Sequence, residues 1–322
     1  MKFYLFILIL VSSTFAYGQD IDSTINKKPA TQTYQITDEL QYVYPRPKLF
    51  GFITNIPKNY VSLGKESVKK ENFKWLGLTA AATLILLPAD ESLLDATTNI
   101  RSLGVTRKHE YYILWDKVDV PTNLSAGMYH LGHGNTSLLV SGGFLLTGAI
   151  TKDYRAIHTS SEILEGILTL GVLTQGLKRV IGRESPELAT QPRGKWSGFP
   201  GWNEYMQHTA SYDAMPSGHV ATLTSTITVL GKNYPEVKWI RPVGYTLIGV
   251  LGLEMMNSRV HWASDYPLGF LIGYAAGTVA ANSKITKVKT DKFSKDGFGF
   301  TPQLIIRRSY YGDNLIGVGF TF

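Results

Sequence analysis

His219 follows Pro216, Ser217 and Gly218, and His261 stands four residues ahead of Asp265. One imidazole can attack phosphorus while a second protonates the leaving oxygen, and a carboxylate can orient the attacker. On a helix, positions i and i+4 lie one above the other, so His261 and Asp265 are expected to pair there. Pro and Ser announce a helix start, with Ser217 as its cap. Gly218 lets the backbone approach an anion, and the helix N–H groups then face phosphate oxygens, with His219 in the first turn. Lys178 and Arg183 close an upstream apolar segment and can stabilise a transferring phosphoryl group. They would equally complement a helix C-terminus near Gly182. The chemistry these residues could do together is phosphoryl transfer without a metal.

Such side chains need a scaffold, and the apolar runs supply one. They fall at 75–87, 138–150, 163–181, 220–230, 243–256 and 268–281, punctuated by Gly, Ser or Thr and without strand-like alternation. The expected fold is all-α, a bundle of about six core helices spanning 73–283. Residues 19–72 are polar and broken by Pro29, Pro45 and Pro47, and read as an extended, partly disordered lead-in. Residues 284–322 read as a basic linker with Lys284, Lys287 and Lys289, followed by a β-hairpin. Its strands, 298–310 and 314–322, flank the turn formers Gly312, Asp313 and Asn314.

Lys2, the apolar stretch 3–15 and Ala16-Tyr17-Gly18 form an expected signal peptide over 1–18. Most apolar runs are shorter than the roughly twenty residues of a membrane span. If the leader is cleaved and every run spans, three crossings would put Lys178 in the cytoplasm. The expectation is therefore an exported bundle in the periplasm or cell envelope, attached to a membrane without fully spanning it. Integral insertion is the competing arrangement. The chain has no cysteine, which excludes disulfides, thiol catalysis and zinc–thiolate sites. Its net charge of +7 suits anionic substrates or membrane surfaces, and no nucleic-acid motif accompanies it. His130 and His133 form a His-x-x-His pair without a third ligand, and read as loop residues. Trp262 and Tyr266 read as packing residues. No cofactor or metal is expected.

The motifs resemble those of the type 2 phosphatidic acid phosphatase and vanadium haloperoxidase superfamily over about 130–283. Pro-Ser-Gly-His is complete at 216–219. The family's first motif, Lys, six residues, Arg-Pro, is matched by Lys178 and Pro186, but Ser185 stands at the Arg position. Its third motif, Ser-Arg, five residues, His, three residues, Asp, is matched by His261 and Asp265, but Glu254 and Met255 stand at the Ser-Arg positions. The resemblance implies His261 as nucleophile, His219 as acid and Asp265 as orienting group. Lys178, Ser217 and Gly218 would hold the phosphoryl oxygens. Arg183 and Arg259 are expected to replace the two absent arginines, Arg183 the more directly. The implied activity is hydrolysis of a lipid phosphate, isoprenoid pyrophosphate or soluble ester through a phosphohistidine. A vanadate-dependent haloperoxidase, or a non-catalytic envelope protein binding phosphate or lipid, are the competing readings.

Overall fold

The computed structural model describes residues 30–114, 118–289, 301–308 and 314–321. The expected signal peptide and the turn residues Gly312 and Asp313 lie outside these residues. Eleven α-helices are present among the described residues. They are α1 (Gly51–Thr54), α2 (Ile56–Ser67), α3 (Lys70–Leu86), α4 (Asp90–Ala96), α5 (Leu124–His130), α6 (Gly134–Thr151), α7 (Tyr154–Ile181), α8 (Trp202–Gln207), α9 (Gly218–Asn233), α10 (Ile240–Asn257) and α11 (Tyr266–Asn282). The six long helices α3, α6, α7, α9, α10 and α11 coincide with the six apolar runs, and the fold is the expected helical bundle.

Two of the long helices outgrow their apolar runs to capping residues that define their ends. Asp153 caps α7 by accepting from Ala156 N at 3.0 Å, and Ser217 caps α9 by accepting from Val220 N at 3.4 Å. Gly182 ends α7 in the left-handed region at φ 59°, its N–H reaching Lys178 O at 2.7 Å. Only glycine fits at 182, since a Cβ would lie 1.9 Å from Ser197 O.

Helix direction alternates through the bundle. α3, α7 and α10 run towards one end, where Lys178 and His261 lie, and α6, α9 and α11 run away from it. The other end carries a three-stranded antiparallel sheet, order β1 (Thr31–Thr37), β2 (Leu40–Pro45), β5 (Thr286–Lys289). Here two expectations are corrected. Residues 31–45 form two paired strands and 51–67 are helical, so the described part of the polar lead-in is regular structure. Lys287 and Lys289, expected in a solvated linker, belong to β5, with Lys287 opposite Tyr42. The reason is local alternation: Tyr42, Tyr44 and Tyr154 pack as one buried cluster that also anchors the start of α7. A short hairpin, β3 (Tyr111–Leu114) with β4 (Val118–Pro121), was not legible as strands. The expected C-terminal hairpin is present as β6 (Thr301–Arg308) paired with β7 (Asn314–Thr321).

The centre of the bundle is the contact of α9 with α11. Gly269, Gly273 and Gly277 recur every four residues and form one stripe along α11. Added Cβ atoms would meet Ser217 O at 2.6 Å, Ala221 O at 2.2 Å and Ser225 O at 2.6 Å on α9. The two backbones touch, and the starts of both helices, which carry the motif residues, are held side by side. Gly273→Val should therefore lower the midpoint of thermal unfolding by several degrees, through overpacking of about 1–3 kcal/mol. Gly249→Val, where no atom lies within 4 Å of an added Cβ, should leave it nearly unchanged. Equal midpoints for the two variants would exclude the glycine stripe as the constraint on this contact.

The outer faces of the helices are apolar. α6 exposes Leu138, Leu139, Leu145, Leu146 and Ile150, and α3 exposes Trp75, Leu76, Leu78, Leu84 and Ile85. One helical stretch among the described residues, Lys70–Ile100, is long and apolar enough by length and composition to cross a membrane, with mean hydropathy 1.3 over its apolar window.

Candidate active site

His261 does not lie on a helix, contrary to the expected one-turn pair with Asp265. α10 stops at Asn257, and Arg259 takes a left-handed conformation at φ 57°. Arg259 N reaches Met256 O at 3.0 Å and Val260 N reaches Met255 O at 2.9 Å, the double bond of a Schellman helix end. The chain then runs through His261 and Trp262 into a 3-10 turn, Ala263–Asp265, that leads directly into α11. Asp265 instead closes this turn, its Oδ2 accepting from Trp262 N at 2.8 Å.

The His261 ring is buried and bonded through Nδ1 to Ala214 O at 2.7 Å. A carbonyl can only accept, so the proton sits on Nδ1 and the lone pair on Nε2. Asp265 Oδ2 is 3.7 Å from Nδ1, close enough for charge but too far for a hydrogen bond. The orienting group is thus the Ala214 carbonyl, and Asp265 acts on the ring through its charge.

Arg183 departs furthest from expectation. Its guanidinium is fully buried and lies between the rings of Trp196 and Trp262, at 4.9 and 5.1 Å from their centroids. It donates to Asp265 Oδ1 at 2.6 Å, Ser264 Oγ at 2.7 Å, Asp90 Oδ2 at 2.7 Å and Arg193 O at 2.9 Å. With its donors so engaged it does not face a phosphate, and the expectation that it binds substrate is corrected. The backbone of Arg183 adds a further tie, accepting from Ala214 N at 3.0 Å. Asp90, which sequence reading missed, also accepts from Ser264 N and Oγ, at 2.9 and 2.6 Å. An acidic residue directly after an apolar run was its only signal.

The remaining motif residues converge. Ser217 N reaches Asp265 O at 3.2 Å, which joins the Pro-Ser-Gly-His turn to the third motif. His219 sits in the first turn of α9, its ring 6.0 Å from that of His261. Lys178 Nζ lies 3.9 Å from where a Gly218 Cβ would be, and 3.2 Å from Asp213 Oδ2, a partner that sequence reading also missed. Arg259 is half-buried, and its guanidinium has no hydrogen bond or ion pair among the described residues. Its position, C′ of a Schellman end, ordinarily takes glycine, and holding arginine there costs about 1–2 kcal/mol.

The other two family positions carry no cation either. Met255 is buried in the apolar cluster of Val220, Leu223 and Leu251, and Ser185 is buried with its hydroxyl unpaired. Glu254 is fully buried, with Oε1 2.8 Å from His109 Nε2 and Oε2 unpaired. His109 lies 4.4 Å from the Tyr129 ring, which in turn lies 4.8 Å from His219. His130 and His133, expected in a loop, end α5 and cap α6, their rings stacked at 5.1 Å. Burial and the neighbouring His133 push the His130 imidazole below its ordinary value. Burial pushes the Glu184 carboxyl up, but hydrogen bonds from Thr190 and Lys195 outweigh it and hold the group low. Glu184 thereby pins the 184–195 loop, and its carbonyl accepts from Trp262 Nε1 at 2.8 Å. Trp262 and Tyr266 are packing residues, Tyr266 bonding to Gly252 O at 2.7 Å.

Residues 161–289 match the model of the PAP2 superfamily, a span that contains Lys178, the 216–219 turn, His261 and Asp265. The resemblance read from the motifs therefore holds over that segment, and it supports a phosphatase of the PAP2 type, in general terms a phosphoric ester hydrolase. Among solved structures, the first transmembrane PAP2-type phosphatidylglycerolphosphate phosphatase from Bacillus subtilis is similar at 15% identity and a TM-score of 0.40. The alignment covers 73% of this chain and 96% of that one. No curated protein matches the chain.

Arg183→Ala and Arg259→Ala should separate a scaffold arginine from a ligand arginine. Removing Arg183 strands two buried carboxylates, so stability should fall by about 3–5 kcal/mol in chemical denaturation. Removing Arg259 should leave the unfolding midpoint within error or slightly raised, while kcat/KM falls by a factor on the order of 100. A stable Arg183→Ala protein with a selective rate loss would reverse the two roles.

Proposed function

We propose that the chain is a metal-independent phosphatase that hydrolyses a phosphate monoester or pyrophosphate through a phosphohistidine at His261. The observation that carries this is the Nδ1–H bond to Ala214 O, which leaves Nε2 as a nucleophile beside His219. Nε2 attacks phosphorus and the ester P–O bond breaks. This step requires His219 to have taken up a proton when the phosphate anion binds, and to give that proton to the departing oxygen. The ring of the phosphohistidine keeps its Nδ1–H and is positive, and Asp265 Oδ2 at 3.7 Å stabilises that charge. His219, now neutral, takes a proton from water. The resulting oxygen attacks phosphorus, the P–N bond breaks, and inorganic phosphate leaves with both histidines restored.

The phosphoryl oxygens are held by Lys178, the Ser217–Gly218 turn with the N–H groups that open α9, and Arg259. This division follows from the unpaired state of Arg259 and the engagement of Arg183. Brief incubation with a ³²P-labelled ester should leave label on wild-type protein that survives alkali and is lost in acid. His261→Ala should take none, and EDTA should not abolish labelling. Label retained by His261→Ala would refute the assignment of the nucleophile.

The apolar outer faces of α3 and α6 argue that the bundle is embedded in a membrane and that the substrate is a lipid phosphate. Burying such surface in lipid removes it from water, whereas leaving it exposed would drive aggregation. Basic residues lie at the sheet end, among them Lys152, Lys238, Lys284, Lys287 and Lys289. Because cytoplasmic loops of membrane proteins carry the excess of Lys and Arg, these residues support an arrangement with the sheet inside and the catalytic site outside. A cleaved leader would instead start the mature chain outside, and α3, α6 and α7 would carry the site inward. Because the chain lacks cysteine, single replacements report topology directly. Lys195→Cys, at the site end, should react with an impermeant maleimide on intact cells. Lys238→Cys should react only after permeabilisation. The opposite pattern would support the cleaved-leader arrangement, and labelling of both would oppose spanning.

A further inference from the structure

Towards the sheet end, 8 to 16 residues along α9 from the catalytic turn, a cleft of about 50 Å³ opens between three helices. It is lined by Ile227, Thr228 and Lys232 of α9, Arg241 and Tyr245 of α10, and Tyr274 of α11. We propose that this cleft binds the headgroup phosphate of an anionic phospholipid in the leaflet opposite the catalytic site. The proposal rests on the membrane-embedded reading above and concerns a site separate from the one that turns over substrate.

Charge is the first argument. Lys232 and Arg241 both line the cleft, and neither has a carboxylate partner among the described residues. Arg241 spends one donor on Gly231 O at 3.3 Å, and the charged neighbours of Lys232 are Lys287 and Arg241, both cations. Two other cations at this end do have carboxylate partners: Arg155 pairs with Glu236 at 2.5 Å and Lys284 with Glu165 at 2.7 Å. Two half-enclosed cations held together without an acid are unfavourable unless an anion enters. Basic pockets between membrane helices on the cytoplasmic side have this form where they hold lipid phosphates.

Surroundings and size supply the second argument. Tyr245, Phe270 and Tyr274 run along the outer surface beside the cleft, with ring centroids 6.0 and 6.5 Å apart, and each is more than a third exposed. Val243 is 45% exposed next to them. Tyr245 stands near the sheet-end start of α10, where tyrosines mark a membrane–water interface, and Phe270 and Tyr274 continue the apolar surface towards the middle of α11. The cleft accommodates a phosphate-sized group and is too small for a whole lipid, so the chains must lie outside against these rings. A phosphodiester with a neutral or hydroxylated headgroup supplies the charge without a competing ammonium.

The test compares wild type, the Lys232→Gln/Arg241→Gln double variant and His261→Gln. Each is purified in detergent, mixed with equal amounts of phosphatidylglycerol and phosphatidylcholine, delipidated and read by native mass spectrometry. Wild type should retain phosphatidylglycerol at least tenfold over phosphatidylcholine. His261→Gln should keep that preference and the double variant should lose it, with unchanged unfolding midpoints. Excess inorganic phosphate should not displace the lipid. Equal retention of the two lipids by wild type, or an unchanged preference in the double variant, would overturn the proposal. So would displacement by inorganic phosphate, which would point to a site for free phosphate. A protein that stays monodisperse without detergent and holds neither lipid would instead remove the membrane reading on which the site depends.

Discussion

The buried guanidinium of Arg183 is the interaction on which the site depends. It joins Asp90, Ser264 and Asp265 through its side chain, and the strand-like segment at Asp213 and Ala214 through its backbone. These groups come from four separate stretches of chain. Two carboxylates without that cation would be stranded away from water at a cost of several kcal/mol. The Ala214 carbonyl that fixes the His261 tautomer and the Asp265 charge that faces the ring are therefore placed by one residue. Arg183 never needs to touch the substrate to control the nucleophile.

Packing completes what the ion network begins. The glycine stripe of α11 brings its backbone against α9, and Ser217 N then bonds to Asp265 O across the start of both helices. The N–H groups that would receive a phosphate and the turn that carries His261 become one rigid unit. Such a contact has no adjustable side chain in it, so distances at the site are set by backbone alone.

Much of this was legible in the sequence because it is local. Apolar runs mark the six long helices, Ser217 and Gly182 mark their ends, and spacing singles out His219 and His261. What escaped was non-local. The partner of Arg183 lies 93 residues away at Asp90, and that of Glu254 lies 145 residues away at His109. Spacing also misled at His261, because the helix has already ended at Asn257 and turned at the left-handed Arg259, so the four residues from His261 to Asp265 enter a new turn. A helix-forming segment gives no warning of such a stop when the C′ residue is arginine, where glycine would announce it. The sheet was missed for a related reason. β1 and β2 alternate visibly, but their third strand, β5, comes from beyond the last helix.

Charge at the site can then be traced residue by residue. Arg183 faces two carboxylates, Asp90 and Asp265, so the cluster carries a formal negative charge and Arg183 offers no free positive charge to a phosphate. Lys178 is offset in part by Asp213 at 3.2 Å. Glu254 spends one carboxylate oxygen on His109, beside Tyr129. Arg259, two residues before His261, is left as a motif-region cation without a partner among the described residues. A phosphoryl group there would be stabilised chiefly by oriented N–H groups and one arginine, interactions that strengthen where water is excluded. A site built in this way works best when closed off from solvent. That requirement, together with the apolar outer faces of the helices, favours a substrate delivered from lipid over one delivered from bulk water.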